Sequence, residues 1–326
     1  MRTGRARGPL RGLAALVTAL LAAGLALTGC GGSSSANGGS SDGRLRLVFT
    51  VTAATLPAWV AQDMGYFKKN GIDVALNSTN DLSSIIPALG RQYDLGVGIQ
   101  PVTIQAASKG IDVVQVSGGE IMVKKNPTII VVSRPDSGIT SPRDLVGKSL
   151  GAPTISGNIN YATEYWLQKQ GIDTSKITFR QVNTPQMPDQ LKAGRLDAAE
   201  VQEPYAQVLM GQGYHNVGNP LEAVGEPCYM ASWIAAGSWA RSHTKEIAAF
   251  QKSLSEANQF IAANPDKARD ILAKYTGAPA DLLKEAPLAD FSTENTVETL
   301  KQWDPVLRAV GNFKGQVDYQ KLVVNP

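Results

Sequence analysis

Two stretches of this chain carry the same punctuation. Gly71-Ile72-Asp73, Gly90-Arg91, Asp94 and Pro101 recur as Gly171-Ile172-Asp173, Gly194-Arg195, Asp197 and Pro204, at offsets of 100, 104, 103 and 103 residues. Each glycine follows helical periodicity, each aspartate opens or precedes an apolar run of strand character, and each proline stands where a helix would start. Glycine caps and N-terminal prolines occur in nearly every α/β protein, so one matching pair would carry little weight. Four pairs that also match by residue type point to one α/β half-domain written twice. A third Gly110-Ile111-Asp112 reuses the helix-to-strand element beyond the two copies. The expected architecture is two α/β lobes facing each other across a crevice, not one continuous core.

The first 29 residues stand outside this pattern. Arg2, Arg5, Arg7 and Arg11 form a basic leader, Leu13 to Leu27 is a 15-residue apolar run, and Leu27-Thr28-Gly29-Cys30 closes it. The run is shorter than the roughly 20 residues of a membrane-spanning helix, and its basic front suits a secretion signal. Leu-Thr-Gly-Cys resembles the lipobox of bacterial lipoproteins, which implies cleavage before Cys30 and a lipid on its thiol. An ordinary signal peptide or an uncleaved anchor would not call for a flexible leash. Residues 30–43 are such a leash, a Gly/Ser tether with too little apolar surface to fold, reaching on the order of 20 Å as a flexible coil.

Removing residues 1–29 leaves 297, a length that suits two domains, and takes the formal net charge from +3 to −1 because four arginines leave with the leader. No basic run with interleaved aromatics remains, so no nucleic-acid partner is expected. The mature chain keeps one unlipidated cysteine, Cys228, which excludes an internal disulfide and a cysteine metal cluster and is read as a small core residue. No cofactor or metal is expected, and the protein is expected to work as a monomer.

Along the chain, Leu45, Leu47 and Phe49 alternate with charged neighbours in a first strand. Pro57 opens a helix carrying Trp59, Val60, Met64 and Phe67 and ending at Gly71. Trp59 on that stripe is read as core. A strand 72–76, a helix 82–90, a strand 94–99, a helix 101–109 and a strand 112–116 come next. Ser141-Pro142 starts a helix, and the second copy runs through a strand 149–152, a loop 153–160, a helix 161–170, a strand 177–182, a helix 188–193, a strand 197–201 and a helix from Pro204. The apolar runs 127–133 and 229–236 carry the chain between lobes. The division expected is 44–133 for the first part of lobe 1, 134–232 for lobe 2, and 233–326 for the return to lobe 1 and C-terminal helices. Two crossings make a hinge.

Leu56-Pro57-Ala58-Trp59-Val60-Ala61 with Met64-Gly65-Tyr66-Phe67-Lys68-Lys69-Asn70-Gly71-Ile72-Asp73 resembles the first helix, and its exit, of a known family. Leu191-Lys192-Ala193-Gly194-Arg195-Leu196-Asp197-Ala198-Ala199 with Glu203-Pro204-Tyr205 resembles its second-lobe signature. The family is the solute-binding lipoproteins of ABC importers in the nitrate, sulfonate and taurine group, related to thiamine-precursor binding proteins. Gln202 departs from it, standing where many relatives carry an aromatic residue. The resemblance implies an α/β, two-lobed type II periplasmic-binding-protein fold with two hinge crossings, a lipid anchor facing the extracytoplasmic side, and delivery of a small solute to ABC permease membrane subunits.

Ligands of open α/β sheets sit beyond the carboxyl ends of the strands, so the repeat points to four loops: 50–56 and 98–103 in lobe one, 153–161 and 201–205 in lobe two. Their small and hydroxyl side chains leave the N–H groups of the following helix starts open to an anion or polar solute. The candidates are Thr52, Ala53, Ala54, Leu56, Gln100, Thr154, Ser156, Asn158 and Glu203, with Tyr229 stacking on the ligand. Glu203 either accepts hydrogen bonds from a ligand or caps the helix at Pro204. No loop holds Lys or Arg, which disfavours a polyanion and leaves a monoanion, a zwitterion or a neutral polar solute. Two rival classes exist: an enzyme or sensor on the same fold acting on a pyrimidine-like ligand, and a lipoprotein binding a protein partner through the cleft. His215 and His243 lie outside the loops, and Glu200 and Glu203 are expected on opposite strand faces, so no acid-base pair is expected.

Overall fold

The computed structural model describes residues 43–311 and 313–326. The leader, Cys30 and nearly all of the 30–43 tether lie outside them. β1 (Leu45–Phe49), β2 (Val74–Ser78), β3 (Leu95–Ile99) and β4 (Val113–Gly118) come first, and β5 (Glu120–Met122) leads away from them. β6 (Ile129–Ser133), β7 (Ser149–Ala152), β8 (Thr178–Gln181), β9 (Ala198–Gln202) and β10 (His215–Gly218) follow. β11 (Cys228–Tyr229), β12 (Ala231–Ala236) and β13 (Asp290–Phe291) complete the set. One sheet has the order β2-β1-β3-β12-β4 and the other β8-β7-β9-β6-β10, so each mixed sheet takes as its fourth strand the one that has just crossed over from the other lobe.

The repeat is written into the pairing. Leu45 pairs with Val74 and Ser149 with Thr178, both 29 residues on; Leu47 pairs with Leu95 and Leu150 with Ala198, both 48 on. The two repeat aspartates do the same work. Asp94 Oδ2 accepts from the Arg46 N–H at 2.8 Å, and Asp197 Oδ2 accepts from the Ser149 N–H at 2.9 Å. Each carboxylate ties the entry of its lobe's first strand to the entry of its third. The repeat glycines Gly71, Gly90, Gly171 and Gly194 all have φ between 69° and 81°, the left-handed region where glycine avoids the steric cost of a Cβ.

Both faces of each sheet are covered. In lobe one, Leu47, Phe49, Trp59, Trp233 and Phe250 fill one side; Trp233 meets Phe250 edge-on at 5.0 Å, and Trp59 stacks on Tyr275 at 5.1 Å. In lobe two, Leu191, Val201 and Leu209 lie on one face and Val131, Leu150 and Leu167 on the other. A further cluster joins the lobes: Ile104, Met122, Ile159, Cys228, Met230 and Trp303. Cys228 is buried there as a small core residue, and burial pushes its thiol pKa up.

Several expectations give way. The boundary at 133 fails because β6 already pairs with β9 and β10 in the second sheet; the boundary at 232 fails because β12 starts at Ala231 in the first. The first helix stops at Asp63, since Gly65 turns left-handed at φ 73° before a short helix Tyr66–Lys69, and Met64 ends up exposed. The helix expected over 82–90 starts as a 3-10 turn, Leu82–Ser84, continues as a short α-helix, Ile85–Ala88, and stops where Leu89 turns extended, and Ser141 caps a single 3-10 turn, Pro142–Leu145. The helix expected from Tyr161 begins at Asn158.

Both crossings are tied together. β5 lies between β11 and β13, so the outgoing chain, the returning chain and the C-terminal segment share a three-stranded sheet. The Lys124 N–H donates to Glu226 Oε2 (2.9 Å), linking crossing to crossing, and Asn126 Nδ2 donates to Asp290 Oδ2 (2.8 Å).

Candidate functional site

In lobe one, Thr52 precedes the 3-10 turn Ala53–Thr55, which the Thr55 hydroxyl fastens by donating to the Thr50 carbonyl at 3.1 Å. Ala53 and Ala54 are half-buried, whereas the Leu56 side chain is buried in the core. Gln100 opens the helix Gln100–Ser108 directly after β3 and is 0% exposed. Neither Gln100 Oε1 nor Nε2 has a hydrogen-bond partner among the described residues. Ser232 pairs in register with Gly98 and Gly118, and its hydroxyl is unpartnered too. A Cβ on Gly98 would stand 2.6 Å from Ile234 Cδ1 and 3.0 Å from Thr103 Oγ1, so a larger residue there would have to displace the Ile234 side chain. A buried polar group without a partner costs about 1–3 kcal/mol, which makes Gln100 the costliest feature of this wall.

In lobe two, the loop carrying Thr154 and Ser156 leaves β7 and enters the helix Asn158–Lys169 through Gly157. Ser156 is left-handed at φ 62°, and its N–H donates to Asn160 Oδ1 at 2.9 Å. Asn160 Nδ2 in turn donates to Glu200 Oε1 at 3.4 Å. Glu200 is completely buried; desolvation raises its pKa to about 8, with Thr163 and Asn160 opposing the rise and Glu164 adding to it. Asn158 Nδ2 donates to the Met230 carbonyl at 3.4 Å, a contact from lobe two to the returning chain. Glu203 Oε2 accepts from the Gln207 N–H at 3.1 Å, which is the capping geometry, and burial raises its pKa.

Tyr229 lies in the hinge. It is 7% exposed, its hydroxyl donates to Glu294, its N–H donates to Gln302 Oε1 (3.3 Å), and its carbonyl accepts from Trp303 Nε1 (2.7 Å). Burial, followed by the contact with Glu294, raises its phenol pKa to about 12.

The structure therefore sets Thr52, Ala53, Ala54 and Gln100 at the carboxyl ends of the adjacent strands β1 and β3, and Thr154, Ser156, Asn158 and Glu203 at those of β7 and β9. It brings Asn158 next to the residue that follows Tyr229 and turns Leu56 inward. Three residues escaped the sequence reading. The sequence places Asn160 in a loop and sets Glu200 apart from any acid-base pair, and it carries no signal for Glu120, whose burial lifts its pKa to about 7. A charge inside the apolar run Ala198-Ala199-Glu200-Val201 was the available signal for Glu200. Surface cavities of about 240 and 550 Å³ lie elsewhere, beside Arg269 and beside Arg241.

Two α/β lobes, each built on a five-stranded mixed sheet that borrows a strand across two crossings, define the periplasmic-binding-protein fold. The structure superposes on the periplasmic aliphatic sulphonate binding protein SsuA from Escherichia coli with a TM-score of 0.72 at 17% identity, over 86% of this chain and 97% of that one. Residues 53–268 match the NMT1/THI5 like family model, and the chain belongs to that family. It is 27% identical over 215 residues to the taurine-binding periplasmic protein of Escherichia coli K12, covering 64% of each chain. It is 26% identical over 239 residues to 4-amino-5-hydroxymethyl-2-methylpyrimidine phosphate synthase of Uromyces fabae, over 66% of this chain and 65% of that one. Both of these sequence matches span less than two thirds of the relative's length.

Proposed function

We propose that this protein is the extracytoplasmic solute-binding subunit of an ABC importer. It holds a small polar or anionic organic solute between its lobes and passes it to the permease's membrane subunits. The solute classes in view are sulfonate or taurine-like, nitrate-like and aromatic carboxylate. The observation that carries the reading is the paired register: two half-domains with identical strand spacing end in polar, Lys- and Arg-free loops on either side of a hinge. The unpartnered Gln100 amide supports it, because a solute offering both a donor and an acceptor would satisfy a group the protein leaves unpaired. The N–H groups at the starts of Gln100–Ser108 and Asn158–Lys169 would serve an acidic head group. Thr52, Ala53, Ala54, Gln100, Thr154, Ser156, Asn158 and Glu203 form the walls. Leu56 and Tyr229 brace them, one from the core and one from the hinge.

A second reading, an enzyme acting on a pyrimidine, has the Uromyces relative in its favour. Against it, His215 is on edge strand β10 and His243 stacks on Trp239 at 4.3 Å, so neither lies on the four loops. A thermal-shift panel of taurine, longer sulfonates, nitrate, aromatic carboxylates and an aminopyrimidine separates the two. One class is expected to raise the melting temperature in proportion to the logarithm of its concentration and to be recovered unaltered. Chemical conversion of that compound favours the enzyme, and a flat panel rejects these solute classes.

A further inference from the structure

Glu200 occupies the interior of β9, completely buried, in a strand otherwise made of Ala198, Ala199, Val201 and Gln202. A carboxyl there is costly unless it is neutral or fully paired. Its polar neighbours are Asn160 and Thr163 on the helix Asn158–Lys169, and its charged neighbour, Glu164 on the same helix, is another carboxyl. The flanking strands offer no compensating cation: β6 pairs Val131 with it, and β7 is Ser149–Ala152.

Asn160, also fully buried, uses both ends of its amide. Its Nδ2 donates to Glu200 Oε1 and its Oδ1 accepts from the Ser156 N–H. Ser156 holds a positive φ of 62°, a backbone state that non-glycine residues keep only where the surroundings over-determine it. The contacts form a relay from strand to helix to loop. We propose that Glu200 is a positioning residue of the cleft: through Asn160 it fixes residues 153–157 in the shape that makes lobe two's wall competent to receive a solute. The proposal rests on the reading of the cleft given above, but the relay itself exists in the free protein. Glu200 does its work as the hydrogen-bond acceptor for the Asn160 amide, a role that a glutamine carbonyl can also fill.

Hydrogen exchange read by mass spectrometry on the free chain tests this. Wild type and Glu200→Gln are expected to protect residues 153–160 equally. Glu200→Leu and Asn160→Ala are expected to exchange there about tenfold faster or more, while lobe-one peptides keep wild-type rates. Wild-type protection in both Glu200→Leu and Asn160→Ala overturns the relay, as does loss of protection in Glu200→Gln. Asn160→Ala keeps the test open if Glu200→Leu does not fold. Taurine in a thermal-shift assay supplies the second arm: its shift is expected to persist in Glu200→Gln and vanish in Glu200→Leu. If taurine leaves wild type unmoved, the solute class fails, and the exchange rates still decide the relay.

Discussion

Gln100 is where stability and function pull apart most openly. A buried amide without partners destabilises the empty protein, so Gln100→Leu, close in volume, is expected to leave the melting temperature unchanged or raised while weakening solute affinity about tenfold or more. An affinity equal to wild type would remove Gln100 from the site. Glu203→Ala and Asn158→Ala should likewise weaken affinity about tenfold, with Glu203→Ala also costing about 1 kcal/mol of stability through the lost cap at Gln207. Glu200 adds a signature in pH. Its folded pKa, about 8, lies above the ordinary 4.5, and Glu120 moves the same way to about 7. The native state therefore holds protons that the unfolded chain has released. Stability from these groups is complete below about pH 4.5 and declines until about pH 8, each pH unit between the folded and unfolded values being worth ~1.4 kcal/mol. Denaturant melts at about pH 5.5 and about pH 8.5 should differ in wild type, and Glu200→Gln should shrink that difference by roughly 3 kcal/mol; an unchanged difference would show Glu200 titrating normally. The residue types of the walls are legible in the sequence, because loop chemistry is local. Asn160's partners are not, since those depend on which face of β9 meets the helix.

At the scale of elements, the repeat was legible because each copy is punctuated by residues with a backbone task. Gly71 and Gly171 end helices, and Asp94 and Asp197 bind the first strand's entry. The two aspartates differ in burial and partners, which separates their mutants. Asp94 is 4% exposed and also accepts from Arg46 Nε and Nη2, so Asp94→Ala is expected to cost about 3 kcal/mol. Asp197 is less buried and its partners are the Ser149 N–H and hydroxyl, with Arg134 farther off, so Asp197→Ala should cost about 1–2 kcal/mol. Equal costs, read from urea melts, would mean that the second copy carries more of the fold than its hydrogen bonds account for. The missed breaks have equally local causes. Gly65 ends a helix that hydrophobic spacing alone would continue, and the lobe boundaries shifted because an apolar run such as 129–133 is equally at home in either sheet until pairing decides.

The whole molecule is two lobes whose crossings are gripped by the C-terminal segment through β13, Trp303 and Glu294. A hinge held this way can bend about its crossings while keeping each lobe intact. Small-angle scattering should record a smaller radius of gyration when a stabilising solute is added, and Gln100→Leu should lose that response. Attachment through Cys30 is a separate proposal for this scale: Cys30→Ser should move the protein from the membrane fraction to the soluble one, and an unchanged distribution would reject the lipid. The central claim is that the crevice holds a solute without changing it. Equilibrium dialysis of the stabilising solute, followed by mass spectrometry of what is released on denaturation, tests this most directly. The account predicts one molecule per chain, recovered intact; a sub-stoichiometric amount, or a chemically altered product, would contradict it.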